Sequence, residues 1–497
     1  MNILIVIPNS NFAPTIPLGP LSIATYLNAH GHKAEICDCL LKKDSIEKAF
    51  STSAQFRPDI VALSVMSSAG LAHARKIAAL CRSKGIKTVW GGGQITAYYD
   101  VILNSGEADF VSMGDGELSL TQLADALEEK NGVTLSDVSG LAYMRGNEII
   151  TNPVNTLPQE ELPQLDLTLV DVKSYQQPFF CTKKMVHLYL SKGCPFNCAF
   201  CNRKVIGDTV YRVRKTEYVI NEIRYLVNEC GCDGIYFYDE LWCINKKAAA
   251  EFCERLSREN LRFYFGCFAR IGQYDENDLK MLYDAGCRWM LFGIESGSEE
   301  MRLKLNKKID TDEIIKTFEI CHKLGIITQA SFIVGLPGET EEQLRQTVDL
   351  AFTIHADLLP FSNFTPIKGA VLYDELKAQG KITEVTDINR LEKEIMPTER
   401  IKSNFTRVPT AELNVVRAFF RWCGFSGADN NLSKFEIAKE IAVRYTKIIF
   451  SGKSLNFSGI SESFTVLADV VFNVFLHPGI RKKYGLYKKN FKYREEK

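Results

Sequence analysis

The chain lacks a net charge. Lys and Arg together number 60 in its 497 residues, and so do Asp and Glu, which removes any global attraction to nucleic acid or an anionic membrane. It also lacks a long hydrophobic run: the most apolar late stretch, "SFTVLADVVFNVFL", is too short to span a bilayer and contains Asp469. A secretory leader is not expected, because "MNILIVIPNS" opens without a basic residue and turns polar after seven positions. That segment reads as a buried first strand, and the expected location is cytoplasmic. Repeats and low-complexity tracts are missing too, and the basic end "RKKYGLYKKNFKYREEK" reads as a solvated tail. What remains is a globular protein of roughly three domains, 46% hydrophobic and 24% charged.

Cysteine is plentiful but odd in number, at 15. Cys37, Cys81, Cys253, Cys287 and Cys321 sit singly in apolar patterns and read as small buried hydrophobes in a reducing compartment. The exception is "SKGCPFNCAFCNRK", residues 191–204, where Cys194, Cys198 and Cys201 form C-x3-C-x2-C with no fourth cysteine near. Structural zinc takes four ligands, and the nearest extra donor, His187, lies seven residues back inside a predicted strand. A redox couple of Cys198 and Cys201 leaves Cys194 without a role. Three thiolates in one short loop can instead hold a corner of an iron–sulfur cubane and leave one iron open.

Residues 1–135 alternate apolar runs with helical patterns. "NILIVIPN", "KAEICDC", "DIVALSVM", "KTVWGGG" and "ADFVSMGDGE" read as strands, with helices from Leu18 to His30 and around "HARKIAALCRSKG". This alternation predicts an α/β fold with a doubly wound, Rossmann-like parallel sheet. Ligands of such sheets sit beyond the carboxyl ends of the strands. Those ends are rich in small residues: Ser64 and Ser67, then Gly91, Gly92, Gly93 and Gln94, then Gly114, Gly116 and Glu117. Bare backbone there can approach a large ligand, although the glycines can also do no more than turn the chain.

Residues 136–186 hold a predicted hairpin, "VSGLAYMRGNEIITN" with Gly146 and Asn147 at its turn, and a Pro-rich linker. Residues 187–381 resume the strand–helix alternation through "HLYLSKG", "GCDGIYFYDELW", "RFYFGCFARI", "RWMLFGIESGS", "IITQASFIVGLPGET" and "ADLLPFSNFTP". Six such units predict a partial (β/α)6 barrel with its chemistry at the carboxyl ends of the strands. Residues 382–497 read as a mostly helical accessory domain that helps choose the substrate.

With Phe200 before its last cysteine and an apolar strand before its first, the triplet resembles the signature of radical S-adenosylmethionine (SAM) enzymes. That resemblance implies a 4Fe-4S cluster on Cys194, Cys198 and Cys201 whose open iron takes the amino and carboxylate groups of SAM. An electron, from a donor such as flavodoxin or ferredoxin, would then release a 5′-deoxyadenosyl radical. It further implies that Phe200 packs on the adenine and that Asp239 and Glu240 accept from the SAM amine, although the acidic pair could equally open a helix. Arg270 would pair with the carboxylate, Glu295 and Ser296 would bind the ribose, and Gly335 would let backbone approach the adenosine.

A doubly wound domain before such a barrel is similar to the cobalamin-binding, class B methyltransferase-like branch of these enzymes. Its glycine-rich loop usually reads Gly-Gly-Pro-His, where this chain has Gly91-Gly92-Gly93-Gln94, and the Asp-x-His-x-x-Gly motif of cobalamin mutases does not occur. The resemblance therefore implies cobalamin without a histidine below the cobalt. Two chemistries follow from it: methylation of an unactivated carbon of a small molecule, or a cyclase-like rearrangement or oxidation without methyl transfer. A non-catalytic protein with a decayed site is the third reading, and the intact triplet argues against it.

Replacing any one of Cys194, Cys198 and Cys201 with Ala should abolish the cluster absorbance of anaerobically reconstituted protein. An unchanged spectrum would refute the cluster assignment.

Overall fold

The computed structural model describes residues 1–10, 13–41, 56–66, 70–93, 95–203, 209–394, 403–425 and 477–486. Ser67, Gln94 and most of the expected helical region 382–497 lie outside the described residues. Two compact units emerge: Met1–Phe268 with Lys280–Arg288 and Pro366–Met396, and Ala269–Leu279 with Trp289–Thr365 and Pro397–Lys497.

The first unit begins with strands β1 (Asn2–Ile7), β2 (Lys33–Asp38), β3 (Ile60–Ser64), β4 (Lys87–Gly91) and β5 (Phe110–Ser112). They pair in parallel in the order β2-β1-β3-β4-β5, as a doubly wound sheet requires. Alternate residues of each strand serve opposite faces. Leu4, Val6, Val61, Leu63 and Trp90 pack against the helix Leu71–Ser83, while Ile3, Ile5, Ile60, Ala62 and Val89 pack against helices Leu18–Ala29 and Gly116–Leu127. Burying apolar side chains on both faces explains why these strands read as unbroken hydrophobic runs.

The predicted hairpin forms as β6 (Leu141–Arg145) and β7 (Glu148–Thr151), with Arg145 opposite Glu148 and Gly146 left-handed at φ 63°. It does more than turn, because β6 pairs antiparallel with β5 and extends the sheet. The segment just past the boundary expected at residue 382 packs on the first sheet. Val385, Ile388 and Leu391 bury themselves in the core that contains Trp90 and Leu63, so the segment that follows the barrel strands completes the first domain. An apolar face with three-residue spacing needs a core, and the nearby helical layer supplies one.

The second sheet contains β8 (Gln177–Phe179), β9 (Thr182–Leu188), β12 (Gly234–Phe237), β13 (Tyr264–Ala269), β14 (Cys287–Glu295), β15 (Ile327–Val334) and β16 (Phe361–Asn363). Between β9 and β12 the short strands β10 (Ser191–Lys192) and β11 (Arg212–Val213) form an antiparallel ribbon. In the first unit β9, β12 and β13 run parallel, with β8 added antiparallel to β9. In the second, β14, β15 and β16 run parallel. The six expected strands are thus the six parallel strands of a curled half-barrel, and β8 is an addition the sequence did not announce. Cys81, Cys253, Cys287 and Cys321 are buried as expected, whereas Cys37 is only half-buried at the edge of the core.

Gly92 tests how tightly the first domain is closed. Its φ is 114°, and a Cβ there would lie 2.6 Å from the Val65 carbonyl oxygen. Gly92→Ala should therefore cost about 2–4 kcal/mol in urea unfolding, from backbone strain plus a clash that no rotamer relieves. Gly93→Ala, whose Cβ would meet only Met66 Cε at 3.7 Å, is the control and should unfold like the parent.

Candidate active site

Strand β9 ends at Leu188, and the chain must leave the sheet without stranding its amides. Asp239, just past β12, provides the acceptor: its carboxylate takes the Leu190 amide at 3.1 Å, the Ser191 amide, and the Ser191 hydroxyl at 2.6 Å. Burial pushes this carboxyl up to about 7 against the pull of those donors. Next comes ribbon β10/β11, and the segment between its strands carries the three cysteines. All three are half-buried, with a turn closed by the Cys201 amide on the Cys198 carbonyl at 3.1 Å. Among the described residues, one trio of His, Cys, Asp or Glu donor atoms gathers within 4.8 Å, and it is His32, Asp125 and Glu128. Three thiolates without a fourth protein donor in the loop disfavour structural zinc, which takes four ligands, and suit an iron–sulfur cluster with one open iron.

Asp239 and Glu240 were expected to act together, and the structure separates them. Asp239 is 2% exposed and committed to the root of the cysteine loop. Glu240 opens to solvent, accepts the Gly193 amide at 3.1 Å and pairs with Arg203 at 3.2 Å, so it is the member with a surface to offer a ligand. Neither caps the following helix, whose start is closed by Asn245. Phe200 is half-buried within the loop.

Arg270, Glu295, Ser296 and Gly335 all fall in the second unit. A bulge in β14 at Gly293–Glu295 leaves Glu295 left-handed at φ 68°, where it accepts from Lys307 Nζ at 2.8 Å. Such strain in a non-glycine residue is characteristic of ligand sites. The Arg270 guanidinium donates to the Lys307 carbonyl, which links these two expected residues through a third that the sequence did not flag. Ser296 departs from expectation. It is fully buried, and its hydroxyl meets the Thr347 hydroxyl at 3.3 Å and accepts from the Ser298 amide at 3.2 Å, so its side chain builds the turn. Gly335 is left-handed at φ 85° and donates its amide to Glu339 at 2.9 Å.

At the carboxyl edge of the first sheet, the glycines have protein reasons. Cβ atoms on Gly114 and Gly116 would each lie 2.5 Å from a neighbour, Val154 and Ile23 respectively, and Gly92 lies against Val65. Gly91 ends β4, Ser64 ends β3, and Gly93 beside a 62%-exposed Met66 leaves bare backbone and an apolar side chain open, which a large flat ligand could use. Glu117 is not on that surface. It is 2% exposed and is held by the Ser22 hydroxyl and Lys192 Nζ. Asp115, Lys192 and Arg212, which join it in a buried ion-pair cluster, were missed. The signal was there in the basic residues that flank the cysteine segment on both sides.

A three-cysteine loop launched from the first parallel strand of a half-barrel is the arrangement expected of a radical SAM enzyme. Residues 188–351 match the radical SAM superfamily and residues 11–124 match the B12 binding domain. The chain is 29% identical to an uncharacterized methyltransferase of Pyrococcus horikoshii, over 75% of this chain and 83% of that one. It is also 29% identical to the anaerobic magnesium-protoporphyrin IX monomethyl ester cyclase of Cereibacter sphaeroides, over 75% of this chain and 61% of the cyclase. In fold it is similar to the radical SAM methyltransferase TsrM of Kitasatospora setae, with a TM-score of 0.68, 19% identity, and coverage of 90% and 99% of the two chains. The chain thus carries a radical SAM domain and a B12-binding domain. A 4Fe-4S cluster, SAM and cobalamin are the cofactors of that architecture, and it acts on a small molecule with an external reductant. No helix among the described residues is long and apolar enough to cross a membrane.

Glu339 supplies a pH test. It is fully buried, and burial pushes its carboxyl up from the ordinary 4.5 to about 7 against the Gly335 and Leu336 amides. Between those values the folded chain keeps a proton that the unfolded chain releases, so this group's contribution to stability falls as pH rises through the window. Glu339→Gln should flatten that slope and raise stability at pH 8 by about 1–3 kcal/mol. Urea midpoints at pH 5 and pH 8 measure it, and an identical slope in both proteins would refute it.

Proposed function

We propose that this protein methylates an unactivated carbon of a small-molecule substrate, with an electron supplied by flavodoxin or ferredoxin in the cytoplasm. When bound, the cluster and SAM supply a 5′-deoxyadenosyl radical, and cobalamin supplies the methyl group. The observation that carries this reading is the state of the first domain's histidines. His30 Nδ1 bonds the Tyr26 carbonyl at 2.8 Å, His32 is packed between Asp125, Glu128 and the N-terminal amine, and His73 Nδ1 accepts the Asn9 amide at 2.7 Å. Each ring is held by neighbouring protein groups, which supports a site that would hold cobalamin without a histidine from this domain and would supply its methyl group for transfer.

The relatives support the reading. Among them are a cytidylyl-2-hydroxyethylphosphonate methyltransferase of Streptomyces wedmorensis, at 23% identity, and a hopanoid C-3 methylase of Methylococcus capsulatus, at 24%. The chain's own residues have defined tasks in it. Cys194, Cys198 and Cys201 hold three irons, Phe200 packs on the adenine, and Glu240 accepts from the SAM amine. Arg270 and Glu295, tied to one another through Lys307, orient the carboxylate and ribose. Gly91 and Gly93 admit cobalamin to bare backbone.

Product accounting tests this proposal. Methyl transfer predicts equal amounts of S-adenosylhomocysteine and 5′-deoxyadenosine per turnover. 5′-Deoxyadenosine alone would instead assign the chain to rearrangement or oxidation, the chemistry suggested by its cyclase relatives.

A further inference from the structure

Ribbon β10/β11 is only two residues long on each strand, yet the whole cysteine segment hangs from it. So short a ribbon is not stable alone. Its two facing residues, Lys192 and Arg212, are cations, and both turn toward one side chain in the first domain. Lys192 Nζ lies 3.0 Å from Asp115 Oδ1, and Arg212 spans the same carboxylate, with one nitrogen 2.7 Å from Oδ2 and the other 3.3 Å from Oδ1. Glu117 Oε1 takes Lys192 at 3.0 Å, and Leu157 closes the cluster by donating its amide to Asp115 and accepting from Arg212, both at 2.8 Å. Two cations face two carboxylates, and only Lys192 retains appreciable exposure, at 23% of its side chain.

Asp115 lies at the N-cap of the helix Gly116–Leu127, where an aspartate normally accepts from its own helix. It makes no such bond and spends its carboxylate on the ribbon instead. Burial alone would raise that carboxyl, but the adjacent Lys192 and Arg212 hold it at about 2, so the cluster stays ionised across the physiological range. Buried ion pairs of this kind define geometry more reliably than they add stability. Here the geometry relates the turn after β5, at the ligand-binding edge of the B12 domain, to the stem of the cluster loop.

We propose that Asp115 is a positioning residue that fixes the cysteine-loop stem against the B12-binding domain, and so sets the separation between methyl donor and radical source. This rests on the methyl-transfer reading, in which a carbon activated at one centre must meet a methyl group held at the other. Misplacement by about 1 Å can cost on the order of 100-fold in such a step.

The test uses the full chain with Asp115→Asn and, as a milder change that keeps the charge, Arg212→Lys. Each variant is reconstituted with cluster and cobalamin. Both should retain the absorbance of the two cofactors and cleave SAM. The ratio of 5′-deoxyadenosine to methylated product should rise about tenfold or more for Asp115→Asn, and less for Arg212→Lys. A second readout needs neither cofactor nor turnover: amide hydrogen exchange across residues 193–203 should accelerate about tenfold in Asp115→Asn, while the strands of the first sheet stay protected. An unchanged product ratio, or exchange that rises equally throughout the first domain, would overturn the proposal. Should Asp115→Asn fail to fold, Arg212→Lys carries both readouts. If the parent transfers no methyl group, the function assigned above fails, and the exchange experiment still decides whether Asp115 orders the loop.

Discussion

The site depends first on a backbone problem solved by one carboxylate. A strand that ends and immediately releases a metal-binding loop leaves amides without sheet partners inside a protein interior. Asp239 collects those of Leu190 and Ser191, together with the Ser191 hydroxyl, from the neighbouring strand's end. Its own burial is costly, as the raised pKa records, and the donors offset that cost only while the strand ends where it does. The register between β9 and β12, with His187 opposite Tyr236 and Leu188 opposite Phe237, is therefore tied to the starting point of the cysteine loop.

Once its root is fixed, the loop still needs an orientation, and charge provides it. Lys192 and Arg212 stand opposite one another in β10/β11, and a single carboxylate from the preceding domain satisfies both. Close by, Arg214 pairs with Glu222 and also donates to the Tyr189 and Pro163 carbonyls. Tyr189 in turn touches the Ser22 hydroxyl that holds Glu117. The segment from Tyr189 to Lys192 is thus restrained on several sides by polar groups that are each other's partners, which rigidifies it.

The second unit uses the same economy on a different scale. Lys307 neutralises Glu295 with its ammonium and accepts from Arg270 with its carbonyl, so one residue sets two others that are distant in sequence. Gly293 leaves room for this ion pair, since a Cβ there would lie 2.4 Å from Glu295 Oε1 and 2.9 Å from Lys307 Nζ and would push both side chains aside. Arg302, fully buried, binds the Ser296, Gly297 and Ile309 carbonyls and the Thr311 hydroxyl, and holds the turn that follows β14.

Much of this was legible in the sequence, for identifiable reasons. Apolar runs such as "NILIVI" and "GIYF" must be strands because both of their faces are covered, and the cysteine spacing is local chemistry that needs no tertiary information. The sequence by itself therefore determined the order of the strands, the doubly wound and half-barrel layers, and the loop that holds the cluster. It could not apportion roles among neighbours of like chemistry. Asp239 and Glu240 are adjacent acids, yet one is sealed against Ser191 while the other meets solvent and Arg203. Ser296 and Glu117 carried the right functional groups but were consumed by Thr347 and Lys192. Only the tertiary structure decided these, because a polar side chain is available to a ligand only when no part of the protein has already satisfied it, and the partners that consume Asp239, Ser296 and Glu117 are drawn from 48 to 75 residues away.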